Sequence, residues 1–341
     1  MGASTSNDFQ QCIAEHDHSR RRFLTNSTTF VGAAGLLALG GCSLGGDDHD
    51  HSTHDHEGGE LRASTDGDSD PELVGLFSPD RVLTTGDNQR IPFALIANGP
   101  RIAEGAEFPV TLSLDGNIVT ETLVDARVVT HDHDAAENDP NHSHPDLLRY
   151  FALRADLTDT GIYDLHADFG DIGTSTMPIQ VFDRSEISVV SPGDPLPKLE
   201  TPTFDSPEGI DPLCTRLPNP CSFHSLTVAE AVAEKKPLAL LVATPALCAT
   251  AFCGPVLETL IESSGDFKEV NFIHLEVYAN AAQVGNNYAD PDLEIAQAVS
   301  DLGLGFEPSL FLTDNKGMVV DRVDNIYDEN ELRAGLTALS D

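Results

Sequence analysis

Two cysteines five positions apart, Cys248 and Cys253, lie in the stretch Ala243–Leu257, A-T-P-A-L-C-A-T-A-F-C-G-P-V-L. An apolar run, 237–243, precedes them and predicts a buried strand. A helical pattern follows over 254–264, with apolar residues at Val256, Leu257, Leu260 and Ile261. Cys253 therefore falls at a helix start, where free backbone N–H groups and the positive end of the helix dipole stabilise a thiolate. Three uses of such a pair follow from its chemistry. Cys253 can attack a disulfide and Cys248 resolve the product. The two sulfurs can hold a metal ion together with the imidazole of His224 or His274. They can also close a permanent disulfide that has no turnover.

A second pair, Cys214 and Cys221, ends a proline-rich stretch, and His224 follows closely. In an oxidising compartment the expected state is a structural disulfide closing this small loop. A second redox pair or a set of metal ligands including His224 is the alternative. Histidines cluster twice more. His49, His51, His54 and His56 alternate with carboxylates in a Gly/Asp/Ser-rich tract. That composition suits weak binding of a Zn or Cu ion by a tether without a core. His131, His133, His142 and His144 form two His-x-His pairs flanking a polar insertion, and four imidazoles at the mouth of a hairpin make the better candidate for Zn or Cu.

Around these residues the chain divides by composition. Between 72 and 185, short β-type segments recur at 91–97, 108–114, 118–129, 147–155, 162–169 and 174–182, with turn residues between them such as Asp115-Gly116. Prolines recur from Pro192 to Pro220 and predict an extended connector with little regular structure. Beyond it, helix and strand alternate. Thr227-Val-Ala-Glu230 has the form of a capping box, which starts a helix running to about 236. A strand is expected at 271–278 and a helix at 292–302. A hairpin follows at 309–313 and 318–323 around Asp314-Asn-Lys-Gly317, and a last helix covers 329–339.

The chain has 19 Lys+Arg against 56 Asp+Glu, a formal net charge of −37. So acidic a surface excludes nucleic acid and anionic membrane as electrostatic partners. It suits an exterior bathed in salt, where repulsion between carboxylates is screened.

Several of these features resemble known families. Ser19-Arg20-Arg21-Arg22-Phe23-Leu24 is similar to a twin-arginine export signal, and the short apolar stretch after it ends in Leu39-Gly40-Gly41-Cys42, which resembles a lipoprotein lipobox. The resemblance implies cleavage before Cys42 and a lipid on its thiol. Asp159-Thr-Gly161-Ile-Tyr163 looks like the tyrosine corner of immunoglobulin-like domains. Phe252-Cys253-Gly254-Pro255 resembles the first part of the thioredoxin W-C-G-P-C motif, with Val256 in place of the second cysteine. The order of elements from Cys214 to Asp341 is similar to that fold. It implies that Pro308, in Phe306-Glu307-Pro308-Ser309-Leu310, is the cis-proline facing the reactive thiol. Thr250-Ala-Phe-Cys253 also resembles the end of a peroxiredoxin motif, but Pro245 is one residue out of place and no later cysteine could resolve it.

Together these features describe a multidomain chain. Residues 1–41 are an export signal and 42–71 an acidic, His-rich tether. An all-β immunoglobulin-like sandwich covers 72–185, a proline-rich linker 186–212 and an α/β thioredoxin-like domain 213–341. The expected activity is thiol–disulfide exchange on extracytoplasmic thiol/disulfide proteins at the outer face of the cytoplasmic membrane. It requires no cofactor. A metal-binding protein and a non-catalytic binding module are the alternatives. Cys42→Ser should release the exported protein from the membrane fraction, and Lys in place of Arg20 and Arg21 should leave it uncleaved in the cytoplasm; fractionation with immunoblotting checks both.

Overall fold

In the strand Gly161–Asp168, Tyr163, Leu165 and Ala167 are buried while Asp164, His166 and Asp168 face water. This period-two pattern is what makes a strand lie with one face on a core. The computed structural model describes residues 70–78, 82–97, 102–130, 147–248, 250, 252–284, 287 and 289–339. Residues 1–41, expected to be an export signal, Cys42, the histidines at 49–56 and His131, His133, His142 and His144 lie outside the described residues. Strand predominates over helix.

The N-terminal unit contains β1 (Glu72–Gly75), β2 (Gly86–Ile96), β3 (Glu107–Leu114), β4 (Asn117–Asp125), β5 (Arg127–Thr130), β6 (Leu147–Leu157), β7 (Gly161–Asp168) and β8 (Thr174–Val181). They form two antiparallel sheets, ordered β1-β2-β6-β5 and β4-β3-β7-β8. Between the sheets lie Ile91, Phe93, Val110, Leu112, Phe151, Leu153, Tyr163 and Leu165, the core of a β-sandwich. The single strand expected at 118–129 is two, because Ala126 is buried and its N–H bonds to the Ala106 carbonyl, which turns the chain from one sheet to the other. The Tyr163 hydroxyl donates to the Asp159 carbonyl at 2.8 Å, a bond that fixes the turn into β7.

The C-terminal unit is a mixed sheet with helices on both faces. Its strands are β9 (Leu238–Ala243), β10 (Asn271–Glu276), β11 (Ser309–Thr313) and β12 (Val319–Asp324), in the order β10-β9-β11-β12. β9 runs parallel to β10, and β11 is antiparallel to both of its neighbours. All six residues of β9 are buried. The helices are α1 (Val228–Ala233), α2 (Cys253–Ser264), α3 (Ala281–Val284), α4 (Gln297–Asp301) and α5 (Glu329–Ala338). Val256, Leu257 and Leu260 of α2 share one core with Leu332 and Leu336 of α5. Val228 and Ala231 of α1 and Val299 of α4 belong to the core on the opposite face. The Thr227 hydroxyl and the Glu230 carboxylate each accept a backbone N–H from the other residue, completing the capping box.

Two expectations change in this unit. The helix predicted over 292–302 begins only at Gln297, because the backbone just before it is bonded across to the end of β10. Ala279 N–H donates to the Glu294 carbonyl at 2.7 Å, and Ala296 N–H to Val277 at 2.8 Å. The proline-rich segment lacks regular structure, yet it is packed onto the sheet. Ile187, Val189, Val190, Leu196, Leu199 and Ile210 join the core of Leu238, Leu240 and Val242. Apolar residues spaced between prolines supply that contact without needing a helix or a strand.

Buried arginines join the two units. Arg90 of β2 holds both oxygens of Glu331 on α5, at 2.6 and 2.8 Å, and its remaining N–H groups reach the carbonyls of Asp324 and Ile326. The Tyr150 hydroxyl donates to Glu331 at 2.9 Å and accepts the Asp328 N–H at 2.8 Å. Arg322 of β12 donates to the carbonyls of Val190 and Val82. Burial works against ionisation of Glu331, but Arg90, Arg127 and Tyr150 outweigh it and bring the carboxyl down to about 2. Removing one member of such a buried pair costs ~3–5 kcal/mol, because the other charge is left without a partner. Glu331→Gln should therefore lower the unfolding free energy by ~3 kcal/mol at pH 7, read by denaturant titration. The folded value lies below the unfolded one, so in the parent protein this contribution is full above the ordinary carboxyl range and is lost as pH falls through about 2. The variant should lack that part of the acid transition.

Candidate functional site

The all-apolar sequence Leu-Ala-Leu-Leu-Val-Ala of β9 is buried on both faces and delivers the chain to the loop 244–252. Leu247 plugs that loop into the core, and its N–H bonds back to the Thr244 carbonyl. The turn that results brings Cys248 over the start of α2. The Cys253 N–H, at the first residue of the helix, donates to the Cys248 sulfur at 3.3 Å, and the Thr250 hydroxyl lies 3.2 Å from the same sulfur. Phe252, just before the helix, rests against the cluster of Leu76, Ala94, Val129, Tyr150 and Ile326 at the junction with the sandwich.

The two thiols differ in environment. Cys253 is 0% exposed, whereas Cys248 is only partly buried. Burial opposes ionisation of Cys248. Hydrogen bonds from the Cys253 thiol, from Thr250 and from the backbone N–H groups of both residues outweigh it and bring the thiol down to about 7. Cys253 is pushed well above the ordinary thiol range by burial, then by the adjacent Cys248 sulfur and the Glu307 carboxyl. The sequence expectation puts the stabilised thiolate on Cys253; the geometry favours it on Cys248. The helix start stabilises negative charge on the sulfur that lies above it, and that sulfur belongs to Cys248.

Pro308 leads directly into β11, and the Glu307–Pro308 peptide is cis. Glu307 is buried, and its carboxyl is pushed up to about 8 by burial and by the charges of Cys248 and Glu276. It is thus a proton-holding group within electrostatic reach of both thiols at neutral pH.

The other cysteine pair lies on the same face of the sheet. Cys214 and Cys221 are free thiols, so the disulfide expected between them is absent. Their loop lies along β10, where the His274 N–H donates to the Phe223 carbonyl at 3.0 Å and the Thr215 N–H to the Glu276 carboxylate at 2.8 Å. This brings Cys214, Cys221, His224 and His274 together, all buried, with one ligand atom from each lying within 4.8 Å of all the others. The Cys221 sulfur is 3.3 Å from His224 Nε2, and both sulfurs are 3.5 Å from His274 Nδ1. Such a set has the ligand types and the convergence to hold a metal ion.

The spacing of Cys221 and His224 signals part of this cluster in the sequence. His274 is signalled only as a candidate ligand, with His224, for the Cys248–Cys253 pair, and the structure sets it against Cys214 and Cys221 instead. It joins the cluster because alternation along β10 puts it on the face that the cysteine loop covers. The sequence carries Thr250 only in the peroxiredoxin-like Thr250-Ala-Phe-Cys253 and gives Glu307 no role, its one faint signal being a lone acidic residue between Phe306 and Pro308.

Alkylation of Cys248 by iodoacetamide should rise with pH to a half-maximum at about 7. Glu307 keeps its proton until about 8, so Glu307→Gln should leave that half-maximum near 7. Peptide mass spectrometry after timed alkylation reads both profiles.

No protein-family model matches this chain, and no characterised protein matches it in sequence. Among solved structures it has a likeness to the CARDB domain of a Pyrococcus furiosus protein in complex with di-metal ions, at 13% identity and a TM-score of 0.18. The likeness spans 34% of this chain and 93% of that one, and it is too distant to bear on the fold or ligands of this protein.

Proposed function

We propose that this chain is an extracytoplasmic thiol–disulfide oxidoreductase, exported by the twin-arginine route and anchored by a lipid on Cys42. Its C-terminal unit is thioredoxin-like and its sandwich immunoglobulin-like. The observation that carries this reading is the Cys253 N–H donated at the start of α2 to the sulfur of half-buried Cys248, with the Cys253 thiol in hydrogen-bond reach of the same sulfur. The parallel β9–β10 pair and the antiparallel β11–β12 hairpin under α5 support the thioredoxin-like assignment.

Cys248, as thiolate, attacks one sulfur of a partner's disulfide. A mixed disulfide forms, and the partner's other sulfur leaves as a thiolate. Cys253 then loses its proton and attacks the Cys248 sulfur, which closes the Cys248–Cys253 disulfide and frees the partner's second thiol. The partner gains two electrons and the chain loses two. Run backwards, the same steps oxidise a partner dithiol. The thioredoxin resemblance assigns Pro308, next to Glu307, to the place where an extended partner segment would pair. The partners are exported proteins with exposed disulfides or dithiols, and the acidic surface excludes nucleic acid. Exchange itself needs no Zn or Cu ion.

With a mixed-disulfide substrate and dithiothreitol as reductant, Cys248→Ser should abolish turnover. Cys253→Ser should accumulate a covalent partner adduct on Cys248, visible by non-reducing mass spectrometry. A Cys248–Cys253 bond that cannot be reduced without unfolding the chain would sink the exchange reading.

A further inference from the structure

We infer that Cys214, Cys221, His224 and His274 form a closed structural zinc centre, separate from the Cys248–Cys253 pair. The metric argument is direct. With Zn–S bonds of ~2.3 Å and Zn–N bonds of ~2.0–2.1 Å, a tetrahedral site needs sulfur and nitrogen ligands ~3.5 Å apart. The three such separations given above are 3.3, 3.5 and 3.5 Å. Four protein ligands leave no open position, which marks a structural site and not a catalytic one. Two thiolates balance the charge of one Zn²⁺, so the buried cluster becomes neutral once loaded. Two sulfurs with two imidazoles in a tetrahedron select zinc over metals that favour square-planar or all-oxygen surroundings.

The surrounding bonds fit the same purpose. His274 Nε2 lies 3.0 Å from the Ala243 carbonyl, which takes its N–H and leaves the Nδ1 lone pair facing both sulfurs. A carbonyl behind a ligating imidazole fixes its tautomer and orientation in this way. A disulfide between Cys214 and Cys221 would instead leave two buried imidazoles without a use for the nitrogens that face the sulfurs. The centre also reaches the redox loop. Ala243 is the last residue of β9, the Ala246 N–H donates to the Thr215 hydroxyl at 3.1 Å, and Arg216 pairs with Glu258 of α2 at 2.6 Å. Zinc would therefore fasten the cysteine loop to the edge of the sheet and steady both ends of the segment that carries Cys248.

The full chain, expressed without a histidine tag and dialysed against a weak chelator, should keep about one zinc per chain. Loading with Co²⁺ in its place should give the visible bands of tetrahedral cobalt and a near-ultraviolet thiolate-to-metal charge-transfer band. Cys42→Ser in the same chain, which removes the thiol closest in sequence to the histidines at 49–56, should leave that band unchanged. Cys248→Ser should retain it, while Cys221→Ser and His274→Ala should lose both the band and the zinc. Two results would overturn the proposal, and the first needs no variant. One is a parent chain that holds no zinc, gives no charge-transfer band and shows Cys214 linked to Cys221 in its peptide map. The other is a band that survives His274→Ala and disappears in Cys248→Ser. The first result does not bear on exchange at Cys248, which is scored by its own adduct; the second would assign Cys248 to the metal and count against both readings.

Discussion

Burial of β9 on both faces is the constraint on which the rest of the C-terminal unit depends. Leu238, Leu240 and Val242 point into one core, and Ala239, Leu241 and Ala243 into the other. A strand with no solvated face must be covered by helices on both sides and paired on both edges. The pairing with β10 and β11 satisfies its backbone. The end of the strand is therefore a fixed point from which the loop 244–252 leaves. At that point the Ala243 carbonyl orients His274, and a few residues later Cys248 meets the start of α2. Both cysteine clusters are set by one strand end.

The junction between the two units follows a different rule. A chain with a net charge of −37 has few cations, and several of its arginines lie buried between the sandwich and the sheet. Arg90 alone satisfies a carboxylate and two carbonyls. Removing such groups from water is costly unless they are paired and hydrogen-bonded, and every guanidinium nitrogen of Arg90 and Arg322 has a partner. The apolar part of the same junction includes Ile326 and reaches Phe252, so the sandwich bears directly on the residue that precedes Cys253. The N-terminal unit thus contributes to the rigidity of the thiol site without supplying any of its chemistry.

The two thiols of that site show how position outweighs motif. Only 3.3 Å separates the Cys248 sulfur from the N–H of Cys253, yet one thiol lies near the neutral range and the other far above it. Cys248 receives hydrogen bonds from the free end of the helix. Cys253 lies within the helix's own first turn with its sulfur in the core, and there the nearby Cys248 and Glu307 add repulsion. A motif can say that a cysteine opens a helix, but it does not say which sulfur lies over that opening.

The sequence by itself determined the order and type of most elements. Alternating apolar residues set the strands of the sandwich, the Thr227–Glu230 capping box placed α1, and the run 237–243 could only be a buried strand. Local periodicity and capping are short-range, so they survive without tertiary context. The helix at 292–302 was misjudged because its first half is held by bonds to β10, a long-range competitor that no window of sequence contains. The same reason separates the two cysteine clusters. Cys248 and Cys253 were legible as a pair, since only four residues separate them. Cys214 and Cys221 also lie close in sequence and suggested a disulfide, but His274 comes to them from 53 residues beyond Cys221. Only the packing of the cysteine loop along β10 could turn two thiols and two scattered histidines into one set of ligands.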